Sequence, residues 1–352
     1  MDKKYRIGIL GATGTVGQRF IQLLENHPQF EVTTLAASVS SQGKAYAEAC
    51  VWRLPGEMPA KARAMIVEPP RPPLDCDFVF SSLPGDIARE TEAEFANAGY
   101  LVISNSAAFR MDEDVPLLIP EVNHEHLSIL DSKQKNPERK AGIIVANPNC
   151  STIMLAMALA PLKARFGVEA VVVTTMQAIS GAGYPGVSAM DITDNVVPYI
   201  KDEEEKIERE TLKILGQVKE RRIEAAVFPV SAQCHRVNVL EGHTAAVRVR
   251  LSQKASIEDV RDALASWTSL PQELRLHSAP SRPIIVRDEI DRPQPRLDRD
   301  AGGGMSITIG RLATDNVLDY RFVALSHNTI RGAAGAAILN AELLIATKHL
   351  AS

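Results

Sequence analysis

A short apolar run, Arg6-Ile7-Gly8-Ile9-Leu10, passes directly into Gly11-Ala12-Thr13-Gly14-Thr15-Val16-Gly17, after which Val16, Phe20, Leu23 and Leu24 recur at helical spacing. Strand, glycine turn and helix in that order admit few folds. The G-x-x-G-x-x-G spacing lets amides at a helix N-terminus approach a pyrophosphate, which points to a Rossmann-like first half with Gly11, Thr13, Gly14, Thr15 and Val16 as cofactor-binding candidates. The competing reading is a tight turn that binds nothing.

The second strand, residues 32–36, leads into Ala37-Ser38-Val39-Ser40-Ser41-Gln42-Gly43-Lys44, where an NAD enzyme places an Asp or Glu for the ribose 2′-hydroxyl. None is present. Ser38, Ser41 and Lys44 offer hydroxyls and a positive charge that suit a 2′-phosphate, so NADP is expected, against the alternative of a solvated loop. Residues 45–75, rich in proline and charge around Trp52, read as excursion and surface. A buried strand over 77–84, a helix over 87–98 and a strand over 100–104 follow. Ligands bind beyond the carboxyl ends of such strands, which adds Ser82, Leu83 and Asn105 to the cofactor side. Arg110 reads locally as a surface arginine paired with Asp112 or Asp114.

The strand-like residues 142–146 end at Asn147-Pro148-Asn149-Cys150-Ser151-Thr152, and an apolar helix-like run covers 153–162. Cys150 therefore falls at a helix N-terminus, where unsatisfied N–H groups and the helix dipole favour thiolate over thiol. Two readings stand: a nucleophile, or one more small buried apolar residue. Cys50, Cys76 and Cys234 read as packing residues, and the wide spacing of all four cysteines without a C-x-x-C pair indicates neither a metal site nor a disulfide scaffold.

In the second half, residues 168–177 form a long valine- and threonine-rich strand ending at Gln177, followed by the glycine-rich Ser180-Gly181-Ala182-Gly183-Tyr184-Pro185-Gly186. That loop must be flexible or close to a ligand. Residues 191–200 look helical, and the charge density of 202–208 reads as a solvated helix face. His243, after a glycine at the mouth of the strand 244–251, is expected to be accessible and to titrate in the useful range, while the other seven of the 8 histidines read as surface residues. A helix over 257–267, a mobile loop over 291–304, and alternating strands over 305–311 and 318–325 continue a largely antiparallel sheet. Residues 327–337 form a helix of very small side chains, suited to close approach and expected to return to the first domain.

With 352 residues, two domains are more natural than one. Hydrophobic content of 45%, charged content of 23% and a net charge of -4 argue against nucleic acid as a partner. The N-terminus runs straight into a strand and no apolar run reaches membrane-spanning length, so no membrane association and a cytoplasmic location are expected.

The glycine turn, the Asn-Pro-Asn-Cys-Ser-Thr stretch, the 180–186 loop, Asp194-Asn195-Val196-Val197-Pro198-Tyr199-Ile200 and His327-Asn328-Thr329-Ile330-Arg331-Gly332-Ala333-Ala334-Gly335 together resemble aspartate-semialdehyde dehydrogenases, most of all the archaeal and fungal branch. The resemblance runs the whole chain. It implies an α/β protein with a Rossmann-like NADP-binding domain over 1–149, joined by a C-terminal helix over 328–352, and an α+β catalytic and dimerisation domain with a largely antiparallel sheet over 150–327. It implies the reversible, NADP-dependent conversion of L-4-aspartyl phosphate to L-aspartate 4-semialdehyde and phosphate, on the route to lysine, threonine and methionine. Cys150 matches the nucleophile, His243 the acid/base, and Gln177 the residue orienting the intermediate. Arg236 matches the clamp on the substrate α-carboxylate, Glu203 the partner of its amino group, and Lys206 with Arg110 and Asn149 the phosphate site. Ser180, Gly181 and Asn328 join the cofactor set.

These roles replace the surface readings of Arg110 and of the 203–206 run. Asp202 stands where relatives carry glycine, which bears on which glutamate faces substrate. A homodimer or homotetramer is implied. The rivals are a malonyl-CoA reductase of the same fold, which lacks the Asn-Pro-Asn lead and the Glu-x-x-Lys pair, and an N-acetyl-glutamyl-phosphate reductase, whose substrate has no ammonium for Glu203. A non-catalytic NADP-binding regulator would show a broken constellation, whereas Cys150, Gln177, Arg236 and His243 are all present.

Overall fold

The computed structural model describes residues 4–130 and 142–349. The chain divides into two compact units, the first comprising 1–118, 126–147 and 337–352, the second 119–125 and 148–336.

The first unit is built on six parallel strands in the order β3-β2-β1-β4-β5-β6: β1 Tyr5–Leu10, β2 Phe30–Ala36, β3 Val67–Glu68, β4 Phe78–Ser81, β5 Leu101–Ser104 and β6 Ile143–Ala146. This is the doubly wound nucleotide-binding order, and the strand order reverses between β1 and β4. Both β4 and β5 are buried along their whole length, as strands covered on two faces must be. Helices α1 (Thr15–Leu24) and α2 (Gly85–Asn97) follow β1 and β4, and Phe20 of α1 stacks on Phe80 of β4 with ring centroids 4.7 Å apart.

Residues 45–75 are not mere surface. Ala45 bridges to Ile66, Val67–Glu68 becomes the edge strand of the sheet, and Tyr46, Leu54, Met58 and Ala62 are buried. Proline and charge mark the turns of this excursion, while its apolar positions bring the chain back to the sheet edge. His27 and His126 are likewise buried, against the surface expectation. The His27 ring stacks on Phe30, and its Nε2 lies 2.8 Å from Glu342.

The second unit carries a mixed seven-stranded sheet in the order β13-β14-β15-β12-β7-β11-β8. Its strands are β7 Val168–Gln177, β8 Val196–Val197, β11 Val230–Val237, β12 His243–Leu251, β13 Ile284–Val286, β14 Ile307–Thr314 and β15 Tyr320–Ser326, with β9 (Gln217–Lys219) and β10 (Arg222–Glu224) forming a separate hairpin. The pairings through β14, β15, β12 and β7 are antiparallel; β7 with β11 and β13 with β14 are parallel. Helix α3 (Cys150–Phe166) is apolar nearly all round and accordingly buried. Helices α4 (Glu203–Ile214), α5 (Ile257–Ala265) and α6 (Gly335–Ala346) complete the longer elements.

Two expectations fail here. Residues 191–200 are helical only at their start: one turn of α-helix, Ala189–Ile192, gives way to Asp194 at φ +57 and to β8, because Val196-Val197 before Pro198 favours extended backbone. The strand β11 pairs with β7 over residues 230–236. The supposed loop over 291–304 contains a short helix, Pro295–Asp298, held by the buried Asp298, which accepts from Arg292 Nε at 2.7 Å and from the Gln294 backbone at 2.8 Å. The small-residue tail begins as a π-helical turn, Ile330–Ala334, before α6.

Candidate active site

The turn that presents Cys150 follows from three residues. Pro148 keeps Asn147 extended, and Asn149 N-caps α3: its Oδ1 accepts from Ser151 N at 2.9 Å and Thr152 N at 3.2 Å. Cys150 is then the first helical residue and remains half-buried. A Cβ on Gly332 would lie 2.6 Å from the Cys150 Cβ, so only glycine lets the 330–334 turn pass the nucleophile candidate. Burial pushes the other three thiols up, Cys234 to about 11 and Cys76 to about 12, with Cys50 raised as well. They fit the packing role.

His243 opens β12, and its Nε2 lies 3.1 Å from Cys150 Sγ. Its Nδ1 accepts from the Ala178 backbone N–H at 3.0 Å. An accepting Nδ1 carries no proton, so the neutral ring holds its proton on Nε2, aimed at sulfur. The expected accessible, near-neutral histidine is overturned: His243 is 0% exposed, and burial, with Arg236 and His327 nearby, pulls its pKa down to about 3. His327, also buried rather than on the surface, lies 3.4 Å from Glu241. Asn328 accepts from Gly242 N and donates to Ser180 Oγ, both at 2.8 Å, tying the residue before His243 to the glycine-rich loop. In that loop a Cβ on Gly181 would sit 2.8 Å from Arg236 and 2.9 Å from His243.

Glu203 gathers the remaining groups. Asn149 Nδ2 reaches both of its oxygens at 3.0 Å, Gln177 Nε2 donates to one at 3.0 Å, and Lys206 Nζ lies 3.6 Å away. Arg236 is buried and donates to Ala178 O at 2.8 Å; burial lowers its pKa, against the upward pull of Cys150 and Glu203. The solvated-face reading of 202–208 fails for a specific reason. Glu204 and Glu208 accept from the backbone N–H groups of Cys234 (2.9 Å) and Ala232 (3.0 Å), satisfying the open edge of β11, while Glu203 and Ile207 are buried.

In the first unit the glycine turn is built for close approach. Gly11 has φ +78, and a Cβ there would lie 2.8 Å from Ser82 O; a Cβ on Gly17 would lie 2.3 Å from Gly11 O. Among the described residues no side chain caps α1 and no acidic residue occupies its first turn, which leaves its N-terminal amides suited to an anion. Ser82 Oγ donates to Leu10 O at 3.0 Å, and Ser38 and Lys44 lie exposed beyond β2, with Ser41 buried beside them. Asn105 Nδ2 is buried and finds no protein partner among the described residues. Arg89 holds Asp112 at 2.8 Å, and Arg110 is buried rather than on the surface, donating to Asn147 O at 3.0 Å and Asn105 O at 2.8 Å.

Residues 6–130 match the family model described as the semialdehyde dehydrogenase NAD binding domain, and residues 159–331 the one described as the semialdehyde dehydrogenase dimerisation domain. A Methanothermobacter thermautotrophicus protein named aspartate-semialdehyde dehydrogenase is 53% identical over 342 residues, covering 96% of this chain and 98% of that protein. The chain belongs to the aspartate-semialdehyde dehydrogenase family. The crystal structure of the Candida albicans aspartate-semialdehyde dehydrogenase with NADP superposes with a TM-score of 0.93 at 45% identity, covering 98% of this chain and 99% of that one. Aspartate-semialdehyde dehydrogenase II from Vibrio cholerae, complexed with ASA, gives a TM-score of 0.76 at 28% identity, covering 98% of this chain and 99% of that one.

In this member of the family, the second unit brings Cys150, His243, Gln177, Arg236, Asn149, Glu203 and Lys206 into one connected set, with Ser180, Gly181 and Asn328 at its edge. The first unit holds the glycine turn, Ser82, Asn105 and Arg110. Sequence reasoning missed the groups behind these. Tyr46 Oη donates to Ala12 O at 2.7 Å and Gln18 Nε2 to Thr13 O at 3.1 Å, bracing the glycine turn, and Glu210 accepts from Asn149 N at 2.7 Å. The one available signal was the seven-residue spacing of Glu203 and Glu210, which places both on one helix face.

Proposed function

We propose that this chain is an NADP-dependent aspartate-semialdehyde dehydrogenase, reversibly converting L-4-aspartyl phosphate to L-aspartate 4-semialdehyde and phosphate through a thioester on Cys150. The observation that carries the reading is the 3.1 Å approach of His243 Nε2 to Cys150 Sγ, with Gln177 and Asn149 both donating to Glu203 in the same unit.

In the biosynthetic direction Cys150 thiolate attacks the acyl-phosphate carbonyl; the C–S bond forms, the C–O bond to phosphate breaks, and phosphate departs with the electron pair. Lys206, Asn149 and Arg110 are its proposed partners. When bound, the reduced cofactor supplies the hydride that adds to the thioester carbonyl. His243, neutral with its proton on Nε2, donates a hydrogen bond first to the thiolate and then to the oxygen that gains charge as the carbonyl becomes tetrahedral. Collapse of that oxyanion breaks the C–S bond and returns the thiolate. Arg236 favours the anionic sulfur and is the proposed clamp for the substrate α-carboxylate, and Glu203 the proposed partner of its ammonium. Gln177, held on Glu203, is the proposed orienting group.

The glycine turn with Gly11, Thr13, Gly14, Thr15 and Val16 is the proposed pyrophosphate site, and Ser38, Ser41 and Lys44, with no acid among residues 37–44, the proposed 2′-phosphate contacts. Ser82, Leu83, Asn105, Ser180, Gly181 and Asn328 complete that proposed set. The assignment of NADP binding to 1–149 with 328–352, and of catalysis and dimerisation to 150–327, belongs to the same reading, as does a cytoplasmic location. The matched dimerisation-domain model supports pairing of two copies. No helix among the described residues is long and apolar enough to cross a membrane.

The test is phosphate-dependent NADPH formation from L-aspartate semialdehyde, beside NADPH oxidation with malonyl-CoA, for wild type and Cys150→Ser. Activity in the first assay alone, abolished by the substitution, is expected. Turnover of malonyl-CoA alone would discard the roles of Asn149, Glu203 and Lys206.

A further inference from the structure

Helix α4 touches Asn149 twice. Glu203 grips its side-chain amide at 3.0 Å, and Glu210 Oε2 accepts its backbone N–H at 2.7 Å. The two glutamates are seven residues apart, about 10 Å along the helix axis, on the face that also buries Ile207, Thr211 and Ile214. The third side of Asn149, its Oδ1, is taken by the amides of Ser151 and Thr152. Glu210 is 2% exposed, and it reaches the one main-chain donor that immediately precedes Cys150. Pro148 has no N–H, so the N–H of Asn149 is the first amide in the turn after Asn147.

We infer that Glu210 is a positioning residue for the nucleophile: by accepting the Asn149 N–H it fixes the turn that aims Cys150 Sγ at His243 Nε2. The inference rests on the proposed role of Cys150. Glu203 alone leaves this function unfilled, because it holds a side chain whose own torsions separate it from the main chain. A carboxylate on the peptide nitrogen restrains the Asn149 φ directly, and the Cys150 Cα follows. Rotation of that peptide would carry Sγ off the 3.1 Å line to His243 while leaving Arg236, the proposed clamp on the semialdehyde's α-carboxylate, in place. Glu210 touches neither the sulfur nor, in this reading, the substrate, so its loss should act on kcat and on thiol reactivity and not on KM for the semialdehyde.

The experiment compares wild type, Glu210→Ala, Glu210→Gln and Glu210→Asp in two assays: phosphate-dependent oxidation of L-aspartate semialdehyde, and the rate of Cys150 alkylation by iodoacetamide followed by mass spectrometry of its peptide. For Glu210→Ala the expectation is a fall in kcat of about 10- to 100-fold with KM within about two-fold, the scale of a small misplacement of a reacting group. Alkylation of Cys150 should slow in parallel. Glu210→Gln keeps a carbonyl oxygen at the same reach and should recover most of both rates. Glu210→Asp keeps the charge but retracts the oxygen by one methylene and should lose them, which decides the matter if the alanine variant does not fold. Wild-type kcat and alkylation in the Asp variant, a loss in Gln as deep as in Ala, or a change confined to KM would each overturn the inference. Alkylation needs no substrate, so it still reports on Glu210 if wild type fails to oxidise the semialdehyde, an outcome that would instead reject the proposed function.

Discussion

The imidazole of His243 lies between the Cys150 sulfur, 3.1 Å from Nε2, and the Ala178 backbone N–H, which donates to Nδ1 at 3.0 Å. One backbone amide thereby decides which nitrogen carries the proton. Protonating the ring fully would turn Nδ1 into a donor facing another donor, on a side chain with no solvent exposure and with Arg236 close by.

The pH behaviour follows with a definite sign. The unfolded chain takes up a proton at this imidazole near 6.5, whereas the folded protein resists it down to about 3. The contribution to stability is complete above the unfolded value and is lost as pH falls toward the folded one. Nitrogen-15 NMR at neutral pH should show a His243 with Nδ1 unprotonated and no titration between pH 5 and 8. Replacement by Gln should make the acid limb of the unfolding curve shallower. A ring titrating near 6.5 would contradict this protonation state.

Gly181→Ala should disable the site while sparing the fold. The added methyl lands 2.8 Å from Arg236 and 2.9 Å from His243, both buried and unable to retreat cheaply, while Gly181 itself lies on an exposed loop. A fall in kcat/KM of about 100-fold or more is expected with an unchanged melting temperature. Retention of full activity would mean that the loop or the histidine yields.

The pair Glu121–Arg331 is fully buried, with two hydrogen bonds of 2.8 and 2.6 Å, and Arg331 sits in the turn that passes Cys150 at Gly332. Glu121→Gln leaves a buried guanidinium without its countercharge, at a cost of about 3–5 kcal/mol. Urea unfolding should show that loss. Simultaneous replacement of both residues by well-packed apolar side chains should recover much of it, and a double variant as unstable as the single one would show that the unpaired charge is not the cause.

Tyr46→Phe removes the hydroxyl that donates to Ala12 O and braces the glycine turn from behind. A destabilisation of about 1–3 kcal/mol is expected from the abandoned buried acceptor. If the turn holds the cofactor as proposed, KM for NADPH should rise with kcat nearly unchanged. An unaltered KM would separate Tyr46 from the cofactor site.

Much of this protein was legible wherever a signal is local. Strand, glycine turn and α1 are specified within about twenty-five residues of the N-terminus, and the N-cap that presents Cys150 is written in Asn149 and the apolar run after it. The failures share one cause. The charge run over 202–208 looks solvated because nothing nearby in sequence reveals that Glu204 and Glu208 will meet the open edge of β11, 30 and 24 residues on. Arg110 looks like a surface ion-pair partner because Asp112 is two residues away, yet Arg89 claims that carboxylate.

The sequence by itself determined the parallel nucleotide-binding sheet, the cysteine at a helix N-terminus and, through long ordered motifs, the family, since backbone preference and capping depend on neighbours within a few positions. Only the tertiary structure decided the protonation of His243 and the company of Asn149. Desolvation and hydrogen-bond partners come from residues dozens of positions away, and a titratable group takes its character from whatever the fold packs around it.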